Sequence, residues 1–447
     1  MPASSSAHGR KTEQWNWPSL RGALSFIKSG VRFQLALWET LETQVASLRH
    51  LRALRALPSA TPGHSGSIES LQGNNTLSHN RTIALLGIGH TNAHVVRQWS
   101  SHPIADCRLV CISKFPVTTY SGMLPGALAS QFEPTEIEIQ LAPLAHRAGA
   151  ELILDEVVGL DVSRRLLLFA DREPLGFDAL SIGIGSMPAG WKKFDSAALV
   201  PIKPMQTFLE RLDERFEECG PSPRCVIVGG GVAGVEIALC LHARLAASAT
   251  RSTASVALVT AGDELASGMT GRSQRTLSRL LSQRAIEVVK NFRVSQVSHT
   301  SIEDQHGNCR PADVIIWATG AAPPALLGKL GLPTDKRGFL ATNTFLQSST
   351  DASIFAVGDT GTIESNPAPK AGVFAVRQAP VLWHNLQATF DPTHPMKKFT
   401  PQGDFLKILN TGQGKALLEY HGWTFHARWC WWLKRRIDKA FVGKYQL

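Results

Sequence analysis

The chain has 447 residues, enough for two or three domains at ordinary domain sizes. Its hydrophobic content of 43% is that of a globular protein, and no apolar run reaches the ~18 residues that span a bilayer. A net charge of +10 without a nucleic-acid motif excludes nucleic acid as the expected partner and favours anionic cofactors or an anionic membrane surface. The seven cysteines stand singly, at no metal-ligand spacing and behind no secretory signal, so a cytoplasmic location is expected.

Residues 1–19 are polar and irregular. Over residues 20–57, Leu24, Ile27, Val31, Trp38, Leu41, Val45 and Leu48 recur at helical spacing, among six Lys or Arg and two Glu, and Pro58 closes the stretch. Such a helix can lie on a membrane, cover the protein's own core or be a dispensable extension; the last two are favoured because no single charged face is sustained. The Ser-, Gly- and Asn-rich residues 58–80 read as a linker.

At Thr82 the pattern changes. The apolar run Ile83 to Leu86 leads into Gly87-Ile-Gly89-His-Thr-Asn92 and then a helical pattern: strand, tight turn, helix. An anion at such a turn meets unpaired N–H groups and the positive end of the helix dipole. Asn92 stands where a third glycine lets helix pack close on strand. The next strand, Arg108 to Ile112, ends at Ser113, where an acid commonly grips ribose hydroxyls; serine can only hydrogen-bond there. Cys107 and Cys111 share one face of that strand and read as small core residues. Pro116 to Gly126, containing Tyr120, is a shaped loop at the carboxyl end of a strand, where ligands bind in open α/β sheets. Leu152 to Val158, Leu166 to Phe169 and Leu180 to Ile184 read as a small β-meander, and Pro201 to Glu218 as a helix.

Then the motif returns complete. Val226-Ile-Val228 precedes Gly229-x-Gly231-x-x-Gly234 and a helix that includes Glu236. Each copy ends in a matching tail: Asp178, Gly185 and Pro188 in the first have the same spacing as Asp313, Gly320 and Pro323 in the second. The chain therefore holds two similar nucleotide-binding units. The second unit's strand Ser255 to Val259 ends at Thr260, again without an acid, so NADH and NADPH are not separated. Residues 293–318 repeat the meander. A third signal, Ser353 to Gly361, is an apolar strand ending in Gly358-Asp359, an acid placed to accept from a sugar hydroxyl. After it, Pro367 to Pro380 starts another helix, with Lys370, Gly372 and Val373 at its beginning.

From Thr82 to the C-terminus these motifs resemble the pyridine nucleotide–disulfide oxidoreductase superfamily, in particular type II NADH dehydrogenases. They are closer still to the flavoprotein module that accompanies selenide, water dikinase. The resemblance implies an FAD-dependent NAD(P)H oxidoreductase with Gly87, Gly89 and Asn92 on the FAD pyrophosphate and Gly358 and Asp359 on the ribityl chain. It implies that the Tyr120 and Lys370-to-Val373 segments flank the isoalloxazine, Lys370 and the helix N–H groups stabilising negative charge. Gly229, Gly231, Gly234 and Glu236 carry over to the NAD(P)H site. Two departures stand out. No cysteine lies between Cys111 and Cys219, which disfavours disulfide and sulfide chemistry. The helix after Gly358-Asp359 reads Gly372-Val-Phe-Ala-Val-Arg377, with both glutamines of the quinone motif replaced, so a quinone or another small acceptor is left open. A nucleotide-binding sensor or docking protein with little turnover is the alternative.

The C-terminus carries Trp423, Trp429, Trp431 and Trp432. Trp429, Leu433, Ile437 and Phe441 form one apolar helical face, and Lys434, Arg435, Arg436 and Lys439 the cationic remainder, a helix suited to an anionic headgroup layer or to packing on the FAD domain or on a second subunit. The expected fold is α/β: two Rossmann-like dinucleotide-binding domains with inserted β-meanders and a C-terminal amphipathic region. The boundaries run 1–80 for the extension and linker, 81–195 and 321–390 for the FAD domain, 196–320 for the NAD(P)H domain and 391–447 for the C-terminal region.

Overall fold

A computed structural model describes residues 81–446; the helix over 20–57 and the linker over 58–80 lie outside them. Two five-stranded parallel sheets dominate. The first runs Ile354–Ala356, Ala179–Ile182, Arg81–Leu86, Cys107–Ser113, Glu151–Leu154; the second runs Leu199–Pro201, Val314–Trp317, Arg224–Val228, Ser255–Val259, Glu287–Val289. Four adjacent strands follow the same order in both, so the sequence repeat is a repeat of topology; the outer strand comes from later in the chain in the first sheet (Ile354–Ala356) and from before the unit in the second (Leu199–Pro201). Strands covered on both faces must be apolar throughout, and Ile83, Ala84, Leu85 and Leu86 are all buried, as are Val226, Ile227 and Val228.

The paired tails explain the spacing seen in the sequence. Asp178 accepts from the Thr82 N–H (2.7 Å) and Asp313 from the Arg224 N–H (2.8 Å), so each carboxylate ties down the start of its unit's first strand. Farther along, Met187–Pro188 pairs antiparallel with Ala321–Ala322, which joins the two tails to each other. Between the units, Ile202 to Thr207 crosses into a helix over Phe208–Glu217, shorter than the span from Pro201.

The meanders also need correction. Leu152 to Leu154 and Leu180 to Ile182 belong to the first parallel sheet, and the antiparallel meander is Val157–Asp161, Leu166–Phe169, Leu175–Gly176. Short apolar runs read alike in either setting, because periodicity cannot separate a fully buried strand from a meander strand. The second meander, Val294–Val297, Ser301–Asp304, Cys309–Pro311, precedes rather than includes the parallel strand at Val314.

The C-terminal region is an antiparallel sheet, Lys407–Asn410, Ala416–Tyr420, Trp423–Ala427, followed by a helix over Arg428–Val442. Trp423 is therefore on a strand. The helix buries Cys430, Lys434, Asp438, Phe441 and Val442, while Trp429, Leu433 and Ile437 are half-buried. Its docked face thus includes an ion pair, Lys434 to Asp438 at 3.0 Å, and Lys434 does not belong to a cationic outer face.

Candidate dinucleotide sites

In the second unit the glycines do three different things. Gly229 has φ +133°, and a Cβ there would lie 2.3 Å from the Ala318 carbonyl oxygen. At Gly234 a Cβ would lie 1.8 Å from the Gly229 carbonyl oxygen, so helix Val232–Ala247 sits directly on the turn. Gly231 is different: a Cβ would meet nothing within 4 Å, and no side chain caps the helix that begins behind it. The protein's own packing does not need a glycine there, and the open space leaves the backbone accessible.

The first unit is built the same way with one exchange. Gly87 has φ +81° and crowds the Gly183 carbonyl, and Gly89 precedes helix His90–Trp99, which also lacks a side-chain cap. Asn92 fills the third-glycine position. Its Nδ2 donates to the carbonyls of Gly87 (2.8 Å) and Ser181 (3.3 Å), and Ser181 Oγ donates to its Oδ1 (2.7 Å). The second unit has Ile316 and Ala318 where the first has Ser181 and Gly183, so polarity and room appear together with the asparagine. Asn92 is fully buried and its side chain is committed to Gly87 and Ser181 rather than offered to a ligand. Two uncapped helix starts at tight glycine turns fit the two pyrophosphates of FAD and NAD(P)H.

Around the first turn the expected segments converge. Thr91 Oγ1 donates to the Ala375 carbonyl (2.8 Å), which fixes helix His90–Trp99 against helix Gly372–Phe390. A Cβ on Gly372 would lie 3.4 Å from Ser121 Oγ, so the Tyr120 loop and the start of that second helix are neighbours. Gly358 (φ +61°) donates its N–H to Gln378 Oε1 (2.6 Å), and the Gly185 N–H donates to Thr360 Oγ1 (2.8 Å). Asp359 Oδ2 accepts from Ser186 Oγ (2.7 Å) and lies 3.5 Å from Lys203 Nζ. A cleft of about 310 Å³, open to solvent, is lined by Asp359, Lys370, Phe374 and Gln378.

Other expected side chains are engaged elsewhere. Ser113 Oγ donates to the Phe115 carbonyl (2.7 Å), closing a turn on itself. Lys370 Nζ donates to the Gly361 carbonyl (2.6 Å) and to Thr362 Oγ1 (2.8 Å) and lies 4.1 Å from the Phe339 ring centre, so the ammonium braces the Gly358 turn. Burial pulls its pKa down to about 8, against the pull of Asp359 and Asp335. The Tyr120 ring stacks on Phe441 (4.6 Å) and tilts against His90 (5.2 Å). Burial, and then the charge of Asp438 and a hydrogen bond to it, push its phenol well above the usual range. Glu236 accepts from the Asn410 N–H (2.7 Å), facing the C-terminal sheet; burial pushes its carboxyl up to about 7, with Lys434 opposing. Both side chains expected at a cofactor thus help to dock the C-terminal helix. Ser186, Lys203 and Gln378 were not singled out in the sequence. Ser186 lies inside the first matched tail and Gln378 inside the Pro367-to-Pro380 stretch, whereas Lys203 belongs to no motif.

Cys107 and Cys111 are buried and free, their thiols pushed by burial to about 11 and about 12. Among the described residues no helix is long and apolar enough to cross a membrane.

Known proteins place the geometry. The family described as pyridine nucleotide-disulphide oxidoreductase matches residues 82–385. The NADH dehydrogenase-like protein YutJ of Bacillus subtilis is 20% identical over 300 residues, covering 64% of this chain and 79% of that protein. The demethylphylloquinone reductase NdbB of a Synechocystis species is 25% identical over 273 residues, covering 58% and 66%. The structure of NDH2 from Plasmodium falciparum in complex with NADH superposes with a TM-score of 0.68 at 13% identity, over 82% of this chain and 97% of that one, a likeness of fold. The likeness to the module accompanying selenide, water dikinase rests on the sequence motifs alone. With two glycine turns, two uncapped helix starts and a match across both units, the chain belongs to the pyridine nucleotide-disulphide oxidoreductase family and is an FAD-dependent NAD(P)H oxidoreductase of the NADH dehydrogenase-like kind.

Proposed function

We propose that the chain passes electrons from NAD(P)H through FAD to a quinone or a similar small two-electron acceptor, at a membrane surface. The observation that carries the choice of acceptor is that no cysteine occurs between Cys111 and Cys219. The loop that meets Gly372 therefore has no dithiol to receive electrons, and they must leave to a bound small molecule. FAD, when bound, supplies the two-electron relay. The chain's own work is to hold and to orient. The helix starts at His90 and Val232 take one pyrophosphate each, and Gly231 lets the second dinucleotide approach the backbone. Asp359 accepts from a sugar hydroxyl, and the N–H groups at Gly372 and Val373 face developing negative charge. Gln378 fixes the Gly358 turn from the helix where relatives of the type II kind have their quinone motif. The relatives whose names specify quinone reduction support the same acceptor class.

The test is an anaerobic titration of the yellow protein. NADH or NADPH is expected to bleach it, and a short-chain quinone to restore the colour faster than a disulfide does. A flavin that NAD(P)H cannot bleach, or that only a disulfide reoxidises, sinks the reading.

A further inference from the structure

Four separated segments meet at Asp359. Ser186 comes from the tail of the first unit, Lys203 from the crossover that leaves the second sheet at Pro201, Asp359 from the Gly358 turn, and His90 from the first position of its helix. Lys203 Nζ donates to Ser186 Oγ (2.8 Å), Ser186 Oγ donates to Asp359 Oδ2 (2.7 Å), and the ammonium lies 3.5 Å from the same oxygen. The Lys203 and Asp359 side chains retain 21% and 19% of their exposure. His90 Nε2 is buried with no partner. Burial holds that imidazole neutral, at about 4, with Asp359 and Lys203 acting on it in opposite directions. A desolvated ammonium is costly unless an anion needs it. One hydroxyl takes one of its three donors, and the carboxylate faces it at ion-pair distance.

Lys370 was the cation expected here, and its ammonium is turned to Gly361, Thr362 and Phe339. Resting on the functional reading above, we propose that Lys203 is the cation of the flavin site, holding Asp359 in place and compensating the charge that FAD gains on reduction. The charge follows from balance. With both cofactors bound, a hydride leaving NAD(P)H would carry two electrons and one proton as its C–H bond broke with its pair, and would add one negative charge to the flavin site. Because Lys203 is on the crossover from the second sheet, the unit that delivers the hydride also supplies the compensating charge.

The experiment is a dye-coupled midpoint potential of the FAD-loaded full chain. Lys203→Met is expected to lower it by ~30 mV or more, which is a tenfold loss of preference for reduced over oxidised FAD in a two-electron couple. Lys203→Arg is expected to restore most of it. Bound FAD at the wild-type potential in Lys203→Met makes Lys203 a strut and overturns the assignment. If Lys203→Met does not fold, Lys203→Gln is read by the same criterion. If both fail to hold FAD, retention by Lys203→Arg supports the charge, and its failure as well overturns it. A wild-type chain that takes up no FAD at all sinks the functional reading itself, before any variant is compared.

Discussion

Residues with the same letter have different duties in this chain, and substitution separates them. Gly229 and Gly234 are demanded by the protein's own packing, whereas nothing in that packing demands Gly231. With φ −68° at Gly231 and open space beyond, Gly231→Val is expected to fold, to keep FAD at one per chain and to lose NAD(P)H affinity by tenfold or more, a cost of at least about 1.4 kcal/mol. Flavin absorbance of the purified variant and the NAD(P)H concentration needed to bleach it check this. Loss of the yellow colour with NAD(P)H affinity intact would reverse the two units. The glycines were legible because their reason is local. Asn92 was legible only as a departure, since its partners Ser181 and Gly183 are some ninety residues away. Lys203 carried no local signal at all; a lysine before a proline becomes a site residue only when four distant segments close around it.

At the scale of elements, the parallel sheets were readable from their unbroken apolar runs and the C-terminal helix only in part. Its spacing predicts that Trp429, Leu433 and Ile437 face inward. Trp429 and Leu433 do pack against the C-terminal sheet and Phe441 is buried, but the surface receiving the helix also presents Glu236 and the Tyr120 phenol, and Lys434 and Asp438 turn to meet them. A helix seen alone does not disclose the polarity of its partner. Burial lowers the Lys434 pKa, but Asp438 and Glu236 outweigh it, so the ammonium is held charged. Glu236 then gives stability a pH signature. Its folded pKa of about 7 is above the ordinary carboxyl value, so between about pH 4.5 and 7 the folded chain keeps a proton that the unfolded chain has released. This contribution is fully present below the unfolded value and is lost as pH rises through 7, a change of about 3 kcal/mol. Glu236→Gln removes it. His90 and His94, held near 4 by burial, tilt the profile the other way but equally in both proteins. The difference between wild-type and variant urea midpoints at pH 5 and pH 8 therefore isolates Glu236: the variant is expected to gain on the wild type as pH rises. Parallel profiles would mean that the carboxyl is ionised throughout.

For the molecule as a whole, the docked helix leaves an outer surface of unusual composition. Trp423 on the last strand and Trp432 on the helix are 50% and 61% exposed, Arg428, Arg435 and Arg436 on the helix are exposed, and the Arg436 guanidinium lies 5.7 Å from the Trp432 ring centre. Exposed tryptophan bordered by arginine is the composition that settles in a headgroup layer, where each basic residue adds about 1 kcal/mol on an anionic surface. Truncation before Trp423 is the wrong test of it, because the cut would also strip Phe441 from Tyr120 and Lys434 from Glu236 and so expose the site's own packing. Trp423→Ser with Trp432→Ser leaves the buried face of the helix intact and removes, besides the exposed rings, only the stack of Trp423 on Phe425 and the Arg436 contact of Trp432. Wild-type protein is expected to co-sediment with vesicles containing phosphatidylserine, to be released by salt, and to ignore neutral vesicles. The double variant is expected to bind at least tenfold more weakly with its flavin spectrum unchanged. The residual binding separates the two contributions: the arginines keep a salt-sensitive remainder, and the tryptophans account for what salt does not remove. Wild-type protein that stays in the supernatant with anionic vesicles would leave this face without a membrane, and the acceptor would then have to reach the flavin from solution.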